Sequence, residues 1–188
     1  MTIIAACIND QGSAIASDSL GSNGWNCSTY GSKLIQPFPN IAVGFSDTYL
    51  VERWVRRFFR ESITRDNEDG WKNNPNAFRN TVEDSWDTWR QWMKDRGHGK
   101  TDSSGTFSVP GTVIVATPKS IFVLYSDGFS LVPECGYAAI GSGTNVSLGA
   151  LAIMKDSPPK IAVEAAVQAA ILHVPSCGGE IHVIDLKE

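Results

Sequence analysis

The sequence has no excess of positive charge, no long uncharged apolar run and no paired-cysteine motif. Its 16 Lys and Arg residues face 20 Asp and Glu residues, a formal net charge of −4, which disfavours a nucleic-acid or anionic-membrane partner. The most apolar later stretch, residues 161–174, contains Glu164, Gln168 and His173, so we expect no transmembrane helix. The start of the chain lacks the basic segment of a secretory signal, which favours a cytoplasmic location.

The chemistry-bearing motifs of several large enzyme classes are also missing. There is no GxxxxGK[ST] phosphate loop, no HExxH zinc motif and no GxSxG nucleophile elbow. The histidines have no metal-like spacing, and the cysteines are too scattered for a metal site or an obvious disulfide framework. We therefore expect no cofactor, no metal and reduced thiols at Cys7, Cys27, Cys135 and Cys177.

The length and composition are those of one globular domain spanning residues 1–188, with 42% hydrophobic and 19% charged residues. The first part predicts strands at 2–8, 13–17 and 41–45. Helical periodicity follows, with an apolar stripe opposite four arginines. Ser46 or Asp47 is placed to cap this helix. The arginines are Arg53, Arg56, Arg57 and Arg60, and the stripe is Leu50, Val51, Trp54, Val55, Phe58 and Phe59.

A second helix is predicted to open at Pro75, because its apolar residues again recur every three to four positions. They are Phe78, Val82, Trp86, Trp89 and Met93. Clustered tryptophans suggest an aromatic binding platform, but helical spacing explains Trp86, Trp89 and Trp92 better as core or subunit-contact surface.

The second half predicts a flexible connection at 97–108, then strands at 112–116, 121–125 and 137–140, with a hairpin turn at 126–128. Helices at 145–155 and 161–173 precede a last strand at 180–186. Two facing sheets with a helix pair on each outer face would bury every apolar stripe. The predicted fold class is therefore α+β, a four-layer αββα sandwich of two antiparallel sheets.

The first residues carry the strongest chemical signal. Thr2 follows Met1, and a small second residue normally allows the methionine to be removed. Thr2 would then carry a free α-amine beside its own hydroxyl. Such an amine has a pKa of about 7.7–8.0 and can serve as a general base. Alone this signal is weak, because many proteins begin Met-Thr.

Five segments place that signal in a larger pattern. They are Ala16-Ser17-Asp18-Ser19, Ser28-Thr29-Tyr30-Gly31-Ser32-Lys33, Ile41-Ala42-Val43-Gly44-Phe45-Ser46, Ala139-Ile140-Gly141-Ser142-Gly143 and Ser176-Cys177-Gly178-Gly179-Glu180-Ile181. In this order and spacing the chain resembles the proteasome β-subunit family of N-terminal-nucleophile hydrolases, and most of all its bacterial members HslV, Anbu and the bacterial proteasome homologue. The resemblance runs from Thr2 to about Asp185.

The resemblance implies a role for each matching residue. Thr2 would be the nucleophile, and Asp18 and Lys33 would match the family's aspartate and lysine. An ammonium beside the hydroxyl lowers the cost of forming an alkoxide, and a carboxylate keeps that lysine charged and oriented. Asp47 would supply a backbone N–H to the oxyanion. Ser142, or alternatively Thr144, would position the N-terminal amine.

The chain departs from the family pattern in three places. Matching Ile3-Ile4-Ala5 to the HslV pattern places Met1 opposite the nucleophile, whereas counting from Asp18, and the Anbu start, favour Thr2. Asp47 stands where these enzymes commonly have glycine. Val174 and Cys177 stand where proteasome β-subunits have an Asp/Ser pair, which HslV also lacks.

The resemblance implies a threonine endopeptidase that assembles into a double ring of 12 or 14 subunits and acts on polypeptides. A ring ATPase unfoldase is the partner it suggests. Two alternatives stay open: a catalytically inactive ring or scaffold protein of the same fold, and a small-molecule N-terminal-nucleophile amidase. Retention of Met1 would favour the scaffold, and the size of the native particle would separate a chambered peptidase from an amidase.

Overall fold

The structure is a computed structural model that describes residues 2–22, 27–29, 31–63 and 74–187. Two antiparallel sheets face each other. The strands of the first sheet are β1 (Ile3–Asn9), β2 (Gly12–Asp18), β12 (Tyr137–Gly141) and β13 (Ile181–Leu186). Those of the second are β5 (Leu34–Phe38), β6 (Ile41–Ser46), β9 (Thr112–Thr117), β10 (Ser120–Leu124) and β11 (Ser130–Leu131). The strand order is β12-β1-β2-β13 in the first sheet and β11-β10-β9-β6-β5 in the second.

Within the described residues, four helical segments cover the outer faces. Segment α1 (50–62) joins an α-helix (Leu50–Trp54), a π-helical turn (Val55–Phe59) and a short α-helix (Arg60–Ser62), and α2 is Pro75–Lys94. Both pack on the second sheet. Helices α3 (Thr144–Met154) and α4 (Pro159–His173) pack on the first. The predicted αββα sandwich is confirmed, and among the described residues no helix is long and apolar enough to cross a membrane.

The core consists of three apolar layers, because alternate strand residues point to opposite faces. Ile4, Ala6 and Ile15 lie between the two sheets, whereas Ile3, Ala5 and Ala16 face α3 and α4. The third layer joins α1 and α2 to the second sheet. It contains the whole predicted α2 stripe of Phe78, Val82, Trp86, Trp89 and Met93, each less than 5% exposed, so Trp86 and Trp89 belong to the core.

Two local predictions are wrong. The segment predicted as a flexible connection contains a β-hairpin, β7 (Lys100–Thr101) with β8 (Phe107–Ser108); its small polar residues conceal it. Neither Ser46 nor Asp47 caps α1. The helix begins at Leu50, so its N-cap position is Tyr49, which makes no side-chain capping bond. The Leu50 N–H bonds the Thr48 hydroxyl at 3.2 Å.

The remaining elements lie within a few residues of their predicted bounds. The four arginines of α1 are exposed as expected, and the turn at 126–128 joins β10 to β11. The described thiols of Cys7, Cys135 and Cys177 are free, while the Cys27 side chain lies outside the described residues. Two further strands, β3 (Leu20–Ser22) and β4 (Cys27–Thr29), form a small hairpin that follows directly on β2.

Candidate active site

Asp18 is the centre of the site, at the end of β2. Its side chain is completely buried, and it accepts four hydrogen bonds. Oδ1 receives the Thr2 hydroxyl at 2.8 Å, the Ile3 N–H at 3.0 Å and the Lys33 ammonium at 2.5 Å. Oδ2 receives the Gly178 N–H at 3.0 Å. A buried carboxylate is stable only with such partners, so this arrangement holds Asp18 in one orientation.

Lys33 comes to Asp18 from the segment before β5. Its side chain is about 5% exposed, and its Nζ also donates to the Leu20 carbonyl oxygen at 2.7 Å. Burial lowers the pKa of the Lys33 amine from its usual value, and the hydrogen bond and charge of Asp18 oppose that shift. The two acceptors fix the ammonium beside the oxygen that also receives the Thr2 hydroxyl.

Thr2 is brought to this carboxylate by the β1–β2 hairpin. The register pairs Ile4 with Ser17, so the residues just before β1 lie beside the end of β2. Thr2 is 3% exposed, and its hydroxyl and the Ile3 N–H share Asp18 Oδ1. Met1 lies outside the described residues.

Ser142 approaches Thr2 from the loop between β12 and α3. Its hydroxyl donates to the Thr2 carbonyl oxygen at 3.2 Å. Thr144, the alternative in the sequence, instead bonds the Gly141 carbonyl oxygen at 2.6 Å. Gly141 has a φ of 101°, and a Cβ there would collide with the Thr2 carbonyl group. The loop therefore needs glycine at this position to reach the nucleophile candidate.

The loop before β13 adds groups to which the sequence pattern assigned no role in the site. Ser176 donates its hydroxyl to Ser142 at 2.8 Å, and the Cys177 sulfur lies 3.7 Å from the same oxygen. Burial raises the pKa of the Cys177 thiol, so the thiol stays protonated at neutral pH. The Gly178 N–H that binds Asp18 belongs to the last of the five segments that carry the family resemblance. Its role could not be predicted, because a backbone contact leaves no signature in a pattern of side chains.

Asp47 lies in a tight turn that directly follows β6. Its backbone has a φ of 72°, and the Thr48 N–H bonds the Ser46 carbonyl oxygen at 2.9 Å across it, as in a γ-turn. Among the described residues, no acceptor takes the Asp47 N–H. This amide is therefore free to bind a negatively charged oxygen.

An open pocket connects these groups. It is lined by Thr2 and Lys33, by the turn from Asp47 to Tyr49, and by Gly21 and Phe45. Three of the five predicted site residues therefore border one space, and the other two, Asp18 and Ser142, act on it through Thr2. The arrangement offers a hydroxyl, a fixed cation and a free N–H around one opening.

Solved structures of two other proteins have this fold. HslV from Trypanosoma brucei superposes with a TM-score of 0.76 at 16% identity, over 100% of both chains. BPH from Thiobacillus denitrificans gives 0.78 at 18% identity, over 99% of this chain and 98% of the other, and its complex with epoxomicin gives 0.77 at 18%. No protein-family model matches the chain, and no curated protein matches it by sequence.

These superpositions span essentially the whole chain, and they confirm the fold that the five sequence segments implied. The protein has the proteasome-type N-terminal-nucleophile hydrolase fold.

Proposed function

We propose that this protein is a threonine endopeptidase that works inside a ring of identical subunits, with Thr2 as its nucleophile after removal of Met1. The observation that carries the proposal is the meeting of Thr2 and Lys33 on one buried oxygen of Asp18. Residues 2, 18 and 33 lie far apart in sequence, and the resemblance to the proteasome β-subunit family implies this chemistry for all three.

The proposed reaction uses the groups that border the pocket. The Thr2 oxygen attacks the carbonyl carbon of a peptide, and its proton passes to the α-amine of Thr2. The oxyanion receives the Asp47 N–H while Lys33 stabilises the developing negative charge on the hydroxyl. The C–N bond then breaks, and the leaving amine takes the proton from the α-ammonium. Water, deprotonated by the same amine, hydrolyses the ester and restores the Thr2 hydroxyl.

Asp18 and Ser142 are positioning residues in this scheme. Asp18 keeps Lys33 charged and oriented, and its Oδ1 also orients the Thr2 hydroxyl. Ser142 bonds the Thr2 carbonyl oxygen, which fixes the rotation of the residue that bears both nucleophile and base. The geometry around Asp18 supports Thr2, rather than Met1, as the residue that matches the family's nucleophile. The Thr2 hydroxyl and the Lys33 ammonium donate to the same oxygen of Asp18.

The assembly belongs to the same proposal. HslV and BPH support a ring-forming oligomer with polypeptide substrates, and a double ring of 12 or 14 subunits would enclose the sites. The chain itself has no phosphate-loop motif, so a ring ATPase unfoldase would be a separate cytoplasmic partner.

A second candidate is an inactive ring or scaffold protein, which Asp47 favours. The Asp47 carboxylate would disfavour an oxyanion if it turned inward.

A peptide-cleavage assay decides between the two candidates. Internally quenched peptides of varied sequence are incubated with the native particle, its Thr2→Ala variant and its Thr2→Ser variant, after sizing each by light scattering. We expect cleavage by the native protein and by Thr2→Ser, none by Thr2→Ala, and a ring-sized particle in all three. A ring-sized native particle that cleaves nothing would establish the scaffold instead.

A further inference from the structure

Asp47 has a backbone conformation that few non-glycine residues adopt, although aspartate and asparagine are among those that do. Asp47 is the one non-glycine residue with a positive φ in the described part of the chain. Most non-glycine residues are strained in this region, whereas glycine adopts it freely. Such outliers concentrate at functional sites. Asp47 is exposed and is one of the residues that line the candidate active-site pocket, which gives the side chain a place to act.

Two aromatic side chains line the same pocket as Asp47. Phe45 and Tyr49 lie in the same pocket, with ring centroids 5.7 Å apart in an edge-to-face contact. Phe45 is buried, whereas Tyr49 is 45% exposed. Long cationic side chains lay their apolar stems on such surfaces and extend the charged end toward solvent and carboxylates.

The charge balance of the pocket leaves Asp47 uncompensated. The cation of Lys33 is paired at 2.5 Å with Asp18 behind the pocket. The Asp47 carboxylate instead accepts a bond from its neighbour, the Ser46 hydroxyl, at 3.3 Å. No cation of the described residues pairs with it. A substrate cation that reaches Asp47 therefore meets a carboxylate that is not paired with any cation of the described residues.

We propose that Asp47 is a specificity-determining residue that selects substrates with a lysine or arginine side chain next to the cleaved bond and disfavours acidic ones. The inference rests on the proposed function, and it assigns to Asp47 a side-chain role separate from its backbone N–H. Asparagine tolerates the same backbone region, so Asp47→Asn removes the charge and keeps the turn.

The experiment compares three peptides that differ only in the residue before the cleaved bond, which is arginine, glutamine or glutamate. Rates are measured with the native particle, Asp47→Asn and the control Glu134→Gln. Glu134 is an exposed acid just before the start of β12. That start of the strand pairs with Cys7, whereas the other end of β12 pairs with Ile3, the neighbour of Thr2. The readout is the ratio of kcat/KM for one peptide to kcat/KM for another with the same protein. A substitution that changes the rate equally for all peptides leaves this ratio unchanged.

We expect the arginine-to-glutamate ratio of the native protein to fall about 2- to 30-fold in Asp47→Asn, as the attraction and the repulsion of one exposed charge are both removed. Glu134→Gln should keep the native ratio. The native ratio should also shrink in 0.5 M salt, since screening weakens exposed charge pairs.

Each remaining outcome contradicts a definite claim. If the native protein cleaves the peptides and the ratio is the same in Asp47→Asn, the specificity role is wrong and the proposed function stands. If the native protein cleaves none of them, including glutamine, the proposed function fails and the specificity role fails with it.

Discussion

Breaking the buried Asp18–Lys33 pair should destabilise the fold far more than breaking an exposed pair. Asp18→Asn removes the negative charge but leaves the Lys33 amine buried, with the Leu20 carbonyl oxygen as its other acceptor. Removing one partner of a buried ion pair costs about 3–5 kcal/mol, because the remaining charge loses its compensation. Lys33→Met leaves the opposite charge buried and should cost a similar amount.

The double variant Asp18→Asn/Lys33→Met removes both charges together. Replacing a whole buried pair by uncharged groups of similar size is often close to neutral, and the amide oxygen of the introduced asparagine can still accept the Ile3 N–H. We therefore expect the double variant to lose about 2 kcal/mol or less, well below the sum of the single losses. The difference is a coupling free energy of at least about 4 kcal/mol.

Urea unfolding at one fixed protein concentration measures each free energy of unfolding. The exposed pair Arg56–Glu52, with side chains 68% and 42% exposed, supplies the matched control through Glu52→Gln and Arg56→Met. Its coupling should not exceed about 0.5 kcal/mol. A coupling at Asp18–Lys33 no larger than that of the control would refute the reasoning.

Four further predictions follow from the same geometry. Gly141→Ala should abolish labelling of Thr2 by an epoxyketone while the fold persists by circular dichroism, because a Cβ would displace the Thr2 carbonyl; normal labelling would contradict this. The labelling rate should rise with pH as the α-amine loses its proton near 7.7–8.0. At higher pH the rate should decline again as Lys33 loses its proton, because a neutral amine stabilises no alkoxide. This decline should begin at a pH below the usual lysine pKa of 10.5, since burial lowers the pKa of Lys33. Lys33→Arg should lack that alkaline decline; a decline at the same pH would exclude Lys33 as its cause. Trp86→Ala should lower the free energy of unfolding by about 3–5 kcal/mol, as Trp86 is 1% exposed, whereas a loss below about 1 kcal/mol would contradict its place in the core. At pH 8 iodoacetamide should modify the exposed Cys135 but not Cys7, whose thiol pKa burial raises to about 11; peptide mapping that finds Cys7 modified first would contradict that burial.

Periodicity was sufficient to predict the layers of the fold. The α2 stripe and the strands around the two sheets follow from apolar spacing, since burial of one face imposes a period on the residues that form it. The π-helical turn at Val55–Phe59 and the hairpin at Lys100–Ser108 were not predicted. The π-helical turn escaped prediction because its apolar residues also fit the spacing of an α-helix. The hairpin escaped because it consists mainly of small polar residues, which show no apolar alternation.

The site was predictable only in part, and for a different reason. Composition and spacing do not join Thr2, Asp18 and Lys33; the resemblance singled them out, and the β1–β2 register with the β5 approach brings them together. The backbone partners, the Leu20 carbonyl and the Gly178 N–H, escaped prediction because every residue carries such groups. The strain at Asp47 also depends on a φ angle that the residue type does not reveal.

The most direct test of the central claim is the mass of the purified native protein after exposure to an epoxyketone inhibitor, followed by peptide mapping. This reagent requires a hydroxyl and a free amine on the same residue. We predict loss of Met1 and one adduct located on Thr2, absent from Thr2→Ala. A chain that keeps Met1 and carries no adduct would contradict the claim that Thr2 is the nucleophile.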